Sequence, residues 1–297
     1  MNALDFEGIR RAYRKGRDVL DGVTFSVAPG QVVGLLGKNG AGKTTLIRIA
    51  MGMIEPQGGQ VRLFGLDPRQ DPIEVKRRVG YVSEEQILPP FLSIRDAFDL
   101  HRRLFPTWDA DLARDLSEGF ELPLGSRIRT LSKGQARRVA LVCAVAHRPE
   151  LLLLDEPASG LDPAARREFL ETSIRLLNET GSSILFSSHY MTDVERMADR
   201  IVMIHGGKVL VDRGLDDLRE RFSLAIVPRT PGLAGDRIRS LAACVSVRER
   251  GDAFHAVLRL EPGEARASLA RELGVVEAAC KAIALEDLFV ELAGGRP

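Results

Sequence analysis

An α/β fold with a mostly parallel sheet core, an antiparallel β layer ahead of it and a small α+β domain behind it is what this 297-residue sequence predicts. Three observations carry it. Gly37 to Thr45 reads Gly-Lys-Asn-Gly-Ala-Gly-Lys-Thr-Thr, a G-x-x-x-x-G-K-[ST] pattern set between an apolar strand, Gln31 to Leu36, and a stretch of helical spacing, Lys43 to Met53. Leu151 to Leu154 is a continuous apolar run ending in Asp155 and Glu156, as expected of a parallel strand buried on both faces. Beyond residue 221 the pattern runs strand, helix, strand, strand, helix, strand, the order of a ferredoxin-like split βαβ unit.

Taken in order, Leu4 to Ile9 and Val23 to Val27 read as strands around a turn at Arg14 to Asp18. Tyr13 lies just before the turn, where a flat ring either packs or stacks on a nucleotide base. The basic group Arg10, Arg11, Arg14, Lys15 and Arg17 reads as a solvated face. In the loop that follows, the glycines let backbone N–H groups converge on oxygen anions, Lys43 adds a point charge, and the Thr44 hydroxyl is a Mg²⁺ ligand by type. The helix starting at Lys43 then presents its N-terminus to phosphate. Gln60 to Phe64 is a strand, Asp67 to Asp71 with its flanking prolines a loop, and Val79 to Val82 a short strand. Pro89 to Leu124 reads as a helical, polar-faced insertion.

Leu131-Ser132-Lys133-Gly134-Gln135 opens a helix running to about His147, with Ser132 as its N-cap. Ligands of open α/β sheets bind at the C-terminal edge of the strands. Asp155 there is a candidate for Mg²⁺, and Glu156 for the base that polarises an attacking water; the alternative is an acidic pair facing solvent. Ser159 to Pro163 is a tight loop ahead of a helix, Ala164 to Glu179. Ser183 to Ser188 is a strand with His189 at its end, either a surface histidine or a contact to a terminal phosphate. Asp199 to Ile204 and Lys208 to Val211 close the sheet, and 213–221 is a charged helical linker.

The tail reads as strand (Leu224 to Val227), helix (Asp236 to Ala242), strands (Val245 to Arg250 and Ala253 to Leu260), helix (Glu264 to Leu273), strand (Val275 to Cys280) and a last helix (Leu285 to Leu292), without a catalytic constellation. Composition narrows the function classes. Lys+Arg 42 against Asp+Glu 41 leaves a net charge of +1, which gives no electrostatic footprint for nucleic acid. The N-terminus lacks a signal-like apolar core and the longest apolar run, Val139 to Ala146, is too short to span a membrane, so a cytosolic protein is expected. Cys143, Cys244 and Cys280 lack metal-ligand spacing and read as reduced structural thiols.

Together these motifs resemble the nucleotide-binding subunit of ATP-binding cassette (ABC) transporters over about residues 4 to 215. The family's order is kept: phosphate loop Gly37 to Thr45, signature Leu131 to Gln135, acidic strand Leu151 to Glu156, D-loop Ser159 to Asp162, switch histidine His189. The resemblance implies a P-loop NTPase ABC cassette at 1–215, with a helical subdomain at about 84–147, and an accessory domain at 216–297. It implies ATP contacts from Tyr13, Gly37, Asn39, Gly40, Ala41, Gly42, Lys43, Thr44 and Thr45, and from Ser132, Gly134, Gln135 and Asp162. Glu156 and His189 would be catalytic, with Mg²⁺ held by Thr44, Glu84 and Asp155. Two cassettes would pair head to tail, as a homodimer or with a similar cassette, and drive a separate permease from the cytoplasmic face of the membrane.

Two positions depart from the common pattern: Lys133 replaces the first signature glycine, and Glu84 stands where a glutamine is usual. Both, with the ending Leu285 to Leu292, resemble the branch serving ABC-2-type exporters and drug-resistance pumps. A carboxylate at 84 can supply the hard oxygen that the amide would. Two other readings are a soluble ABC ATPase, for instance of iron–sulfur assembly, and a nucleotide switch with little turnover. The uninterrupted single cassette with its extra domain argues against the first. The presence of Glu156 and His189 argues against the second.

Overall fold

Two long strands open the chain, β1 (Leu4–Arg14) and β2 (Arg17–Val27), paired antiparallel, and β1 also pairs with β4 (Gly58–Leu63). Phe6 lies opposite Phe25 in this layer, their ring centroids 4.9 Å apart, a cross-strand pair that helps fix the register. Both strands outrun the expected limits of Ile9 and Val23. Register shifts between Phe6 and Ile9 and again between Arg11 and Ala12 let the polar stretch stay on the ladder after the apolar alternation stops. The computed structural model describes residues 1–14, 17–85, 88–230 and 232–292. The middle of the expected turn, with Lys15 of the basic group, falls outside them.

The chain divides into two compact units, Met1–Asp212 and Arg213–Pro297. The first is built on a six-stranded sheet in the order β5 (Val79–Val82), β6 (Leu151–Leu154), β7 (Ser183–Ser188), β3 (Val32–Leu36), β8 (Arg200–His205), β9 (Lys208–Gly214). From β5 to β8 every pairing is parallel, and all four leucines of β6 are 3% exposed or less, which is why that run carries no alternation. The loops after β3, β6 and β7 leave the sheet at one edge and so bring the motifs together.

Around the sheet lie α1 (Lys43–Ala50), α2 (Pro72–Arg77), α3 (Ile94–Leu104), α4 (Ala110–Gly119), α5 (Lys133–Val145), α6 (Pro163–Thr180) and α7 (Met191–Met197). Two of these short helices were not expected. Pro72 stands in the first turn of α2, where its missing N–H costs nothing, so a proline that read as a breaker is an initiator. The single apolar face of α7, Val194 and Met197, is too short to show a period. The insertion holds α3 and α4, each started by a side-chain cap: Ser93 with Asp96 in a capping box, and Asp109 on the Leu112 N–H. α5 lies directly on β5. A Cβ at Gly80 would stand 2.2 Å from the Ala144 carbonyl oxygen and 2.8 Å from the Leu152 side chain, so only glycine permits this approach.

The second unit starts with α8 (Leu215–Arg221) and continues with β10 (Ser223–Pro228), α9 (Gly235–Arg239), β11 (Cys244–Arg250), β12 (Ala253–Leu258), α10 (Pro262–Leu273) and β13 (Ala279–Ala282). Its sheet is antiparallel throughout, in the order β11-β12-β10-β13, which is the ferredoxin-like arrangement. The core takes alternate residues of the strands, Ala225 and Val227 from β10 and Phe254, Ala256 and Leu258 from β12, with Ile238 and Leu269 from the helices. The last strand forms four residues later than expected, because Val275 and Val276 continue from the left-handed Gly274 cap of α10. A final helix, α11 (Leu285–Leu292), buries Leu285, Leu288 and Phe289.

Candidate functional site

At the end of β3 the chain turns through the glycine-rich loop into α1. Gly42 has φ of 104°, and a Cβ there would lie 2.5 Å from the Leu20 side chain, so the loop can approach β2 only with glycine at this point. Inside the loop the Ala41 N–H donates to the Lys38 carbonyl at 3.0 Å, closing a turn over Asn39 and Gly40. Lys43, 5% exposed, folds back so that its ammonium donates to the Gly37 carbonyl at 2.7 Å and lies 3.1 Å from Glu156 Oε1. The latter contact is an ion pair without hydrogen-bond alignment, since Oε1 has no hydrogen-bond partner. Thr45 is buried on the same turn, and the Tyr13 hydroxyl lies 3.3 Å from its Oγ1. The Tyr13 ring is 56% exposed, with the Arg11 guanidinium 5.3 Å from its centroid. That leaves a flat aromatic surface beside the loop.

The acidic pair lies beside it. Thr44 Oγ1 donates to Asp155 Oδ1 at 3.1 Å, and Ser187 Oγ donates to the same oxygen at 2.8 Å. Ser187 also accepts the Glu156 N–H at 2.8 Å, so one hydroxyl, fully buried on the neighbouring strand, orders both acids. Burial pushes the Asp155 carboxyl above its ordinary range, the two hydrogen bonds oppose this, and the charges of Glu156 and Glu84 add to it. Glu156 is a non-glycine residue with φ of 46°, a strained backbone that turns its carboxylate away from the line of the strand. Its Oε2 meets His189 Nδ1 at 2.7 Å. Lys43, Glu156 and His189 thus form one connected chain, with Thr44, Asp155 and Ser187 as a second chain alongside.

Asp155 and Thr44 are hard oxygen donors facing each other, and a buried carboxyl of raised pKa is stabilised as its anion by a divalent cation, so these residues fit Mg²⁺. No group of three or more His, Cys, Asp or Glu able to hold a metal occurs among the described residues. Glu84 is placed less directly: its carboxylate accepts from the Ser159 hydroxyl at 3.4 Å, and it reaches Asp155 through charge alone. Asp162 turns back on its own helix, accepting the N–H groups of Ala164 and Ala165 at 3.0 Å, which holds its carboxyl below the ordinary range.

The site is thus a phosphate cradle with an adjoining pair of acids and a histidine, and the comparisons with known proteins bear on the same stretch. The ABC transporter family profile matches residues 20–159. The ABC transporter ATP-binding protein YtrB of Bacillus subtilis is 30% identical over 284 residues, 95% of each chain. The chain belongs to the ABC transporter ATP-binding family. The chain is also 33% identical to the daunorubicin resistance ATP-binding protein DrrA3 of Streptomyces coeruleorubidus over 248 residues, 80% of this chain and 78% of that one. Among solved structures, the dimeric post-hydrolysis state of the ATP-binding cassette MJ0796 bound to ADP and Pi superposes with a TM-score of 0.64 at 21% identity, over 71% of this chain and 98% of that one. The cassette is an ATPase of this family with the family's fold.

The segment Leu131 to Gln135, expected as the signature, is bonded within its own helix start. Ser132 Oγ accepts the Gln135 N–H at 3.2 Å while Gln135 Oε1 accepts the Ser132 N–H at 3.0 Å, a capping box that seals the start of α5. No hydrogen bond or ion pair joins Ser132, Gly134 or Gln135 to residues 37–45 among the described residues. Sequence reasoning missed Ser187 and Asp193. The signal for the first was the serine pair that follows the apolar run Ile184 to Phe186 in β7, since polar residues on a buried strand need partners.

Proposed function

We infer that this cassette is the ATP-binding and ATP-hydrolysing subunit of a transporter and powers a separate membrane permease in export. The observation that carries the reading is the connected chain of buried Lys43 and Glu156 with the more open His189, beside the Thr44–Asp155 pair. Tyr13 offers its open ring face to the base. Backbone N–H groups of 37–45 and the Lys43 ammonium hold the phosphates. Thr44 and Asp155 would hold Mg²⁺, which would supply charge neutralisation to the phosphates, and the Glu84 carboxylate adds its charge to the same region. Glu156 accepts a proton from the attacking water, and His189 fixes its carboxylate from the other oxygen. The separation of Ser132, Gly134 and Gln135 from the loop supports a second copy, or a similar cassette, supplying them across a head-to-tail dimer, with Asp162 beside them.

Among the described residues no helix is long and apolar enough to cross a membrane, and in this reading the transport path belongs to the separate permease. A cavity of about 640 Å³ bounded by Leu88, His101, Phe105, Ala140 and His147, with Leu100 and Leu104 exposed on α3, supports this reading, because apolar surface beside a cleft suits a docking protein. Such a partner would hold the cassette on the cytoplasmic face of the membrane. Resistance named for DrrA3 supports export as the direction. Glu156→Gln tests the chemistry: ATP remains bound, turnover falls by at least about 10²-fold, and trapped nucleotide shifts the protein from monomer to dimer. Turnover at the parent rate would exclude Glu156 as the base.

A further inference from the structure

One largely buried cation stands at the joint between the loop ending in Asp162 and His189, and the hydrolytic scheme does not use it. Arg166 lies in the first turns of α6, where its N–H donates to the Asp162 carbonyl at 2.9 Å. Its guanidinium donates twice to Asp193 Oδ2, from Nε at 3.0 Å and Nη2 at 2.7 Å, with the two side chains only 17% and 9% exposed. The same guanidinium carbon lies 3.3 Å from the centroid of the Tyr190 ring. That ring is 4.0 Å from the His189 ring. Ser188 Oγ donates to Asp193 at 3.3 Å and accepts the Tyr190 N–H at 3.0 Å, so the backbone on both sides of His189 is tied to the same carboxylate.

Burying an ion pair costs desolvation that its attraction barely offsets, so such a pair argues for geometry more than for stability. The next residue makes the contrast: Arg167 pairs with Glu171 fully in solvent, 64% and 65% exposed, where a pair contributes little. The geometry points to Arg166 as a positioning residue for hydrolysis, gripping Tyr190 and Asp193 so that His189 is held against Glu156 and a displacement at Asp162 is felt at that carboxylate. This rests on the reading that Glu156 and His189 act in hydrolysis.

The test uses the full chain, with single-turnover and steady-state MgATP hydrolysis and ATP titration. Arg166→Leu lowers kcat by between about ten-fold and 10²-fold at unchanged KM and ATP affinity, the loss expected of a misplaced catalytic group. Tyr190→Ala does the same, Tyr190→Phe keeps the parent kcat because the ring is retained, and Arg167→Leu changes nothing. In a His189→Ala background Arg166→Leu has no further effect, since the two act through one group. Should Arg166→Leu fail to fold, the Tyr190 pair decides alone, and equal kcat for Tyr190→Ala and Tyr190→Phe overturns the proposal. So does a parent-like Arg166→Leu, or full additivity with His189→Ala. If Glu156→Gln is inactive in the same assays, only the positioning role has failed; if Glu156→Gln turns over normally, the scheme beneath it has failed as well.

Discussion

Replacing Ser187 with alanine removes one hydroxyl and two hydrogen bonds from the centre of the site. The bond to Asp155 is made to an ionisable carboxyl with no solvent access, and its loss costs about 2 kcal/mol. The Glu156 N–H is left without a partner where water does not reach, adding about 1 to 2 kcal/mol. The Asp155 carboxyl, deprived of one of the two donors that favour its anion, rises further above its ordinary range. With Trp108 the single tryptophan of the chain and lying in the first unit, urea unfolding followed by its fluorescence reports on that unit alone. About 3 kcal/mol against a slope of about 3 kcal/mol/M lowers the midpoint by about 1 M. A Ser187→Ala midpoint within about 0.2 M of the parent, at equal slope, would mean that this hydroxyl does not order the acids.

Glu84→Gln hydrolyses ATP with a shifted Mg²⁺ concentration for half-maximal rate, and Glu84→Ala loses much of its activity; superimposable Mg²⁺ titrations of the three proteins would place the residue outside the metal's reach. Burial on the sheet lowers the His147 pKa from 6.5 to about 4, so its contribution to stability is complete above pH 6.5 and is lost as pH falls toward 4, by at most about 3 kcal/mol. His147→Phe, which can keep the stack on Phe105, flattens the fall of the urea midpoint between pH 6.5 and 5, and an equally steep fall would assign the acid sensitivity elsewhere.

Much of this was legible because the informative stretches are local. Gly37 to Thr45 is its own strand-to-helix turn, Leu151 to Glu156 announces a doubly buried strand by the absence of alternation, and Ser132 is an N-cap by residue type and place, to which the structure adds the reciprocal bond from Gln135. What could not be read depends on which strands become neighbours. Ser187 reaches Asp155 only because β7 pairs in register with β6, Leu154 against Phe186, and Arg166 reaches Asp193 across a separation of 27 residues. The left-handed backbone of Glu156 has no sequence signal either, since glutamate rarely adopts it. Short helices such as α2 and α7 lie below the length at which periodicity speaks.

Gly80 gives the sheet a bearing surface. At Gly80 the Ala144 carbonyl meets the strand with no side chain between them, and Arg137 on the same helix also donates to the backbone carbonyls of Ser83 and Glu84. The rod that carries Ser132 at its tip and the ribbon that runs on to Glu84 are therefore geared together at these points, so that a tilt of one is a displacement of the other.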